Sequence, residues 1–522
     1  MAGVVAAGHE LTAEAGKDVL SAGGNAFDGA IASLLAACVV EPTLTSLGGG
    51  GFLLAHQAES HTDTLFDFFT QTPKVRSAGV EPDFYPVEAN FGDSVQEFHV
   101  GLASMAVPGV LAGVLAVHKK LGRLPLTVVT EPAIALARKG VSVTDFQGYC
   151  YQLLDSILMA TPASRQIYAP NGRRLRAGEQ LQMTEFADTL EYLAGLGDGK
   201  ARRAFYEGEI AQQIVQDCAE QGGYLTLADL RDYQVIERAP LKINYRGVQM
   251  LTNPPPSAGG ALIAFCLELL NQFDLSAIAF GSIEHLTLLS QAMRWTNEAR
   301  RSHLNRSLFD PEIADKFLSS GLTSKYAEPL KDLMNQGLNR WGSTTHISVM
   351  DDEGNAASVT TSNGEGASYV VPGTQIMLNN MLGEEDLNPH GFNSWPLDQR
   401  MSSMMAPTMI LKEGRPQLVL GSGGSNRIRS AILQVICNAL DFGMPMAEAV
   451  CAPRIHWEGG VFHLEPGLDT QLIASAVPGT EQLVQWQQAN MFFGGVHTVG
   501  LMDLGLEGAG DPRRSGAVGA AE

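Results

Sequence analysis

One stretch of this 522-residue chain, residues 340–364, RWGSTTHISVMDDEGNAASVTTSNG, concentrates hydroxyl groups at the mouth of what reads as a hairpin. Thr344 and Thr345 stand there behind Gly342 and Ser343. A threonine hydroxyl inside a chain is a poor nucleophile, because no base is attached to it. Cutting the Ser343–Thr344 bond changes that. Thr344 then carries a free α-amine of pKa near ~8 beside its own Oγ, and the neutral amine can take the hydroxyl proton. The plainer reading is a hairpin whose threonines simply favour extended backbone.

Within THISVM the pattern alternates, with Ile347 and Val349 on one face and His346, Ser348 and Met350 on the other. Gly354 and Asn355 tolerate positive φ, so DDEGN can reverse the chain. Pairing Asp352 with Asn355 sets Thr344 opposite Asn363 and beside Ser362; a bulge shifts this by one residue. An acyl nucleophile also needs hydrogen-bond donors for the oxyanion. LVLGSGGSNRI puts Gly423 and Gly424 where a strand meets a helix, a place for outward-pointing N–H groups, although a packing turn is the plainer reading. No GxSxG elbow and no Ser-His-Asp pattern competes with Thr344.

The elements that must position these groups are legible in outline. Thr12 can cap a first helix ending at Gly23 and Gly24, and a second runs from Ala26 to just before Pro42, with Ile31, Leu34, Leu35, Cys38 and Val39 on one face. Four glycines, 48–51, precede a strand and mark a place of close backbone approach. LTNPPPSAGGAL reads as a rigid connector before a helix, and its rigidity would also suit a wall near a site. The chain is helix-rich before the hairpin and strand-rich after it, so the natural division is 1–343 and 344–522.

Composition narrows the function class. A 45% hydrophobic content is that of a packed globular protein, and a net charge of −21 without long charge runs argues against nucleic acid as a partner. No apolar run approaches the ~18 residues of a membrane span. The six cysteines form no CxxC pair and the 12 histidines lack metal-ligand spacing, so neither metal nor cofactor is expected. The first residues, MAGVVAAGHE, lack a basic leader segment; the chain as written reads as cytoplasmic, or periplasmic or secreted if a leader has been removed.

The motifs GHELTAEAGKDVLSAGGNAFDGAIAS, AVPGVLAGVLAVHKKLG, NPPPSAGG, TTHISVMDDEGNAASVT, LNN, SSM, GSGGSNRI and GAGDPRRSG occur in this order along nearly the whole chain. Together they resemble the gamma-glutamyltranspeptidase family of N-terminal-nucleophile hydrolases. The resemblance implies an α+β, four-layer αββα sandwich made as one precursor and autocleaved between Ser343 and Thr344 into large (1–343) and small (344–522) chains that stay associated as one fold. It implies that Thr344 is both the processing and the catalytic nucleophile, acting on a small-molecule γ-glutamyl amide and passing the acyl group to water or an amino acid. By position, Ser362 matches the hydroxyl that assists the Thr344 amine, Ser402 and Ser403 the serine pair on the donor's α-carboxylate, and Gly423 and Gly424 the oxyanion glycines. His346 and Ser348 read as structural members of their strand.

The likeness departs at two places. Glutamyl-specific members carry a carboxylate-gripping arginine where FDFFTQTP puts Phe69, and a phenyl ring cannot replace a guanidinium fork. The acidic residue expected after LNN is Met381, leaving Asp386 to stand in for the second acidic position. The loop from Asn388 to Arg400 is short, which implies an open site without a lid. Two alternatives follow: an acylase on the same scaffold that cuts a dicarboxylic side chain such as a glutaryl amide, and an unprocessed, non-catalytic homologue.

Overall fold

Two antiparallel sheets lie face to face, with helices on both outer faces, in a computed structural model that describes residues 2–76, 80–90, 95–328, 344–388, 391–468, 482–503 and 505–522. The strands that matter are β1 (Gly3–Ala7), β2 (Gly50–Gln57), β3 (Thr62–Phe68), β4 (Ile236–Arg238), β5 (Leu241–Tyr245), β6 (Val248–Thr252), β7 (Thr345–Asp351), β8 (Ala356–Ser362), β9 (Thr408–Lys412), β10 (Arg415–Gly423), β11 (Gly495–Met502), β12 (Gly505–Ala509) and β13 (Ala517–Ala521). The first sheet runs β13-β1-β7-β8-β2-β3-β4 and the second β12-β11-β10-β9-β6-β5. Both sheets combine strands from before and after residue 343, so the two segments share one fold. The αββα expectation holds.

Helices α1 (Glu10–Ser21) and α2 (Ala26–Val40) cover the first sheet; α3 (Gly259–Leu270) and α4 (Arg427–Leu440) cover the second. Asn25 caps α2 reciprocally with Asp28, whereas His9, not Thr12, caps α1. Thr12 lies inside α1 and donates from Oγ1 to Glu41. Helix α2 is buried all round rather than on one face, because further helices of the N-terminal half pack on its far side.

The hairpin β7–β8 has the expected faces. Ile347 and Val349 are fully buried toward the α2 layer, each contributing about 1.5–3 kcal/mol of apolar burial. His346 and Ser348 turn toward the second sheet, where His346 bonds the hydroxyls of Thr360 (2.8 Å) and Ser348 (2.9 Å), and Ser348 donates to the His497 carbonyl. Gly421 permits this packing, since a Cβ there would lie 2.3 Å from the His346 ring.

The register differs by one residue from the expectation. Thr345 faces Thr361 and Asp351 closes the turn with Asn355. The Asp351 carboxylate accepts from the Asn355 amide and from the Ala26 backbone N–H, pinning the turn to the start of α2. Continuing the ladder outward sets Thr344 against Ser362 itself rather than Asn363.

Candidate active site

Thr344 sits immediately before the central strand β7 and is 5% exposed. Its carbonyl accepts from Arg514 Nη1 at 3.0 Å and rests on Gly423, where a Cβ would stand 2.0 Å from that oxygen. The next residue is anchored as firmly: Thr345 Oγ1 donates to Glu41 Oε2 at 2.7 Å, and burial raises the pKa of that carboxyl. Across the hairpin, the Thr361 hydroxyl pairs with Thr45 at 3.0 Å. Ser362 Oγ accepts from the Gly364 N–H at 3.0 Å. The four-glycine run behaves as expected, because a side chain on Gly49 would strike the Ser362 carbonyl, 2.3 Å from its Cβ. Ser343 lies outside the described residues.

Thr344 and Ser362 open into one cleft of about 380 Å³, shared with Ser403, Ser425, Glu384 and Asp386. Phe69, Met381, Leu387, Met404, Met405 and Ile428 form its apolar part. No lysine or arginine is among the described residues lining it. Desolvation raises the Asp386 carboxyl, which accepts from the Ser425 hydroxyl. Desolvation also pushes Glu384 well above the usual carboxylate range, and the neighbouring Glu365 and Asp386 add repulsion. Glu384 Oε1 is shut off from solvent and finds no donor among the described residues.

Ser402 and Ser403 part company. Ser403 lines the Thr344 cleft; its Oγ accepts from the Met405 N–H, and its carbonyl accepts from the Ala258 N–H and the Ser257 hydroxyl. Ser402 lines a neighbouring hollow instead, so the structure does not bring the pair together at Thr344. The Pro-rich connector is therefore also a wall: Ser257 and Asn253 brace the strand-like run 403–405, and Gly259 lies against the Met404 carbonyl.

Among the described residues, no basic side chain lines the cleft in place of the missing arginine. Phe69 is fully buried, stacked on Phe52 at 5.4 Å. Arg400 spends its guanidinium on the Phe69 and Gln234 carbonyls and the Tyr233 hydroxyl. Arg76 donates to the Trp395 carbonyl and lies over that ring at 4.5 Å.

The chain matches the gamma-glutamyltranspeptidase family over residues 12–521. It belongs to that family. The glutathione hydrolase proenzyme of Escherichia coli (strain K12) is 32% identical over 542 residues, covering 98% of this chain and 90% of that one. The acylase ACY 1 proenzyme of Pseudomonas sp. (strain V22) is also 32% identical, over 495 residues, covering 92% and 87%. The crystal structure of cephalosporin acylase from Bacillus halodurans superposes with a TM-score of 0.86 at 26% identity, covering 100% of this chain and 96% of that one.

As a gamma-glutamyltranspeptidase-family chain, this one has site groups that sequence reasoning missed. Arg514, in the quoted run GAGDPRRSG, holds the Thr344 carbonyl; the signal was a paired arginine just after Asp511 and Pro512. Glu384 and Ser425 were missed as well. Glu384 is one of three consecutive acidic residues, and only the path of the 3-10 turns Met381–Gly383 and Glu385–Leu387 decides that Glu384 and Asp386 line the cleft. Among the described residues no cluster of His, Cys, Asp or Glu could hold a metal ion, and no helix is long and apolar enough to cross a membrane.

Proposed function

We propose that this chain is an autoprocessing threonine amidohydrolase that cleaves γ-glutamyl amides. In processing, Thr344 Oγ attacks the Ser343 carbonyl, the peptide nitrogen is released as the Thr344 α-amine, and water opens the resulting ester. In catalysis that amine takes the Oγ proton as Oγ attacks the substrate carbonyl, and the leaving amine carries the proton away. Water or an amino acid then accepts the acyl group. Ser362 supports the amine, while the N–H groups of Gly423 and Gly424 stabilise the oxyanion. Ser403 meets the donor's α-carboxylate.

One observation carries the γ-glutamyl reading: two raised carboxyls, Glu384 and Asp386, share the nucleophile's cleft without a lining cation. A γ-glutamyl donor brings the missing positive charge as its α-ammonium. Mass spectrometry and N-terminal sequencing of the purified protein test the scheme: wild type gives a fragment beginning at Thr344, Thr344→Ser processes more slowly, and Thr344→Ala stays intact. An active preparation consisting only of intact chain refutes it.

The acylase reading has its own support, the apolar wall of Phe69, Met381, Met404 and Met405 in place of a guanidinium clamp. A glutaryl donor lacks the α-amine and keeps a carboxylate, which protonated Glu384 and Asp386 can meet as hydrogen-bond donors. Turnover of glutaryl- above γ-glutamyl-p-nitroanilide favours that reading.

A further inference from the structure

A second hollow, about 750 Å³ with the open space at its mouth included, adjoins the Thr344 cleft. Leu387 lines both, and the pair Ser402–Ser403 straddles the divide, one serine on each side. Apart from Thr72, its walls come from two stretches. One carries Arg306 and Phe309; the other is the loop bearing Asn388, Trp395 and Pro396. Phe309 is 49% exposed, and with Leu308, Leu387 and Trp395 it gives the hollow an open apolar lining that marks a binding site rather than a core.

The loop wall is preformed. Thr72 donates to the Pro396 carbonyl at 2.6 Å and its N–H to the Gln399 carbonyl at 2.9 Å. The Asp398 N–H reaches the Pro73 carbonyl at 3.0 Å, and Arg76 clamps Trp395 from its face and its carbonyl. Two polar atoms in this wall lack partners among the described residues: Trp395 Nε1–H and Asn388 Oδ1, on residues 7% and 4% exposed. Of the lining cations, Arg400 is turned inward to Phe69 and Tyr233, whereas Arg306 makes no ion pair among the described residues.

A scissile amide held at Thr344 must send its two halves in different directions. The cleft of Glu384 and Asp386 takes the acyl half on the reading above. We propose that the second hollow receives the amine half, and that it selects a flat aromatic amine bearing an anionic group. The ring lies against Phe309 and the edge of Trp395, and the anion faces Arg306. By microscopic reversibility the same amine competes with water for the acyl-enzyme.

This rests on the amidohydrolase reading for its kinetics but not for its binding. The test uses one acyl group on three amines: glutamine (ammonia), γ-glutamylanilide, and the γ-glutamyl amide of 4-aminobenzoate. In processed Phe309→Ser, kcat/KM for both aryl amides relative to glutamine falls about 10-fold. In Arg306→Gln, the 4-aminobenzoate amide alone falls about 3-fold to 5-fold relative to the anilide, an effect that added salt diminishes. Both changes fall on KM. Calorimetric binding of 4-aminobenzoate alone, weakened in both variants, supports the hollow even if no γ-glutamyl amide is turned over, a result that would count against the amidohydrolase reading and not against this one. Equal losses on all three amides assign the hollow to the acyl half and overturn the proposal. Unchanged ratios with unchanged binding overturn it too.

Discussion

Replacing Glu384 with glutamine removes an ionisable carboxyl from the Thr344 cleft and almost no volume. The wild-type carboxyl is raised by desolvation and by Glu365 and Asp386, and its Oε1 has no donor among the described residues. A bound α-ammonium would donate to this carboxyl from the cleft that Glu384 lines. A hydrogen bond to a charged group is worth about 1.5–3 kcal/mol, so Glu384→Gln should lower kcat/KM for γ-glutamyl-p-nitroanilide by about 10–150-fold, chiefly through KM. Glutaryl-p-nitroanilide differs from it only in lacking the α-amine and should not suffer this loss. The pH dependence has a definite sign. Below its raised pKa the wild-type carboxyl must first shed a proton, at about 1.36 kcal/mol per pH unit. The ratio of wild type to variant on the γ-glutamyl donor therefore grows as pH rises toward that pKa, and then levels off. Stability gives an independent check. A carboxyl whose folded pKa lies above its unfolded value near 4.5 contributes stability that is fully present below 4.5 and lost as pH rises through the folded value. The glutamine variant is spared that loss and should melt higher than wild type at neutral and alkaline pH. Equal loss on both donors, or no loss on either, would refute Glu384 as the ammonium's partner.

Three further outcomes follow from the same geometry. Arg514→Met removes the charged donor to the Thr344 carbonyl and should lower kcat by about 10–150-fold in steady-state kinetics, with thermal melting reporting any loss of fold. Gly423→Ala sets a Cβ where only 2.0 Å separates it from the Thr344 oxygen; self-cleavage, followed on denaturing gels, should slow sharply or stop. Burial lowers His285, His456 and His497 to about 4 and His463 to about 3, so these rings stay neutral in the fold. Their contribution is fully present above the unfolded value near 6.5 and is lost as pH falls toward 4, so melting temperatures measured from pH 7.5 to 4.5 should drop along that window.

What the sequence made legible was local. Alternation in THISVM and the Gly354–Asn355 turn placed the hairpin and its two faces, since both signals lie within the segment they describe. The one-residue error in register has a distant cause: Asp351 closes the turn while bound to Ala26, a contact spanning most of the N-terminal half. Thr12 looked like a helix cap by type, yet its hydroxyl serves Glu41, which in turn anchors Thr345; no local pattern encodes that relay. The parting of Ser402 from Ser403 is likewise tertiary, because Ser257 and Ala258 hold Ser403 from a stretch far upstream. Phe69 and Met381 were legible as departures, and the cleft lining turns those departures into a chemical surface.

The same distant contacts explain why a cut at the nucleophile would not loosen it. Strands β7 and β8 lie inside the sheet, flanked by β1 on one side and β2 on the other. Both neighbours belong to the segment before residue 343. Separating the products would break the β1–β7 and β2–β8 ladders and bare Ile347, Val349, Ala357 and Val359, all fully buried. The freed amine therefore gains rotational freedom only about its own terminal bonds. Its carbonyl stays on Arg514, its successor Thr345 on Glu41, and Ser362 on the Gly364 N–H. A new terminus at the head of a central strand, not an edge strand, would let one scission create the base while the sheet keeps Thr344 in position.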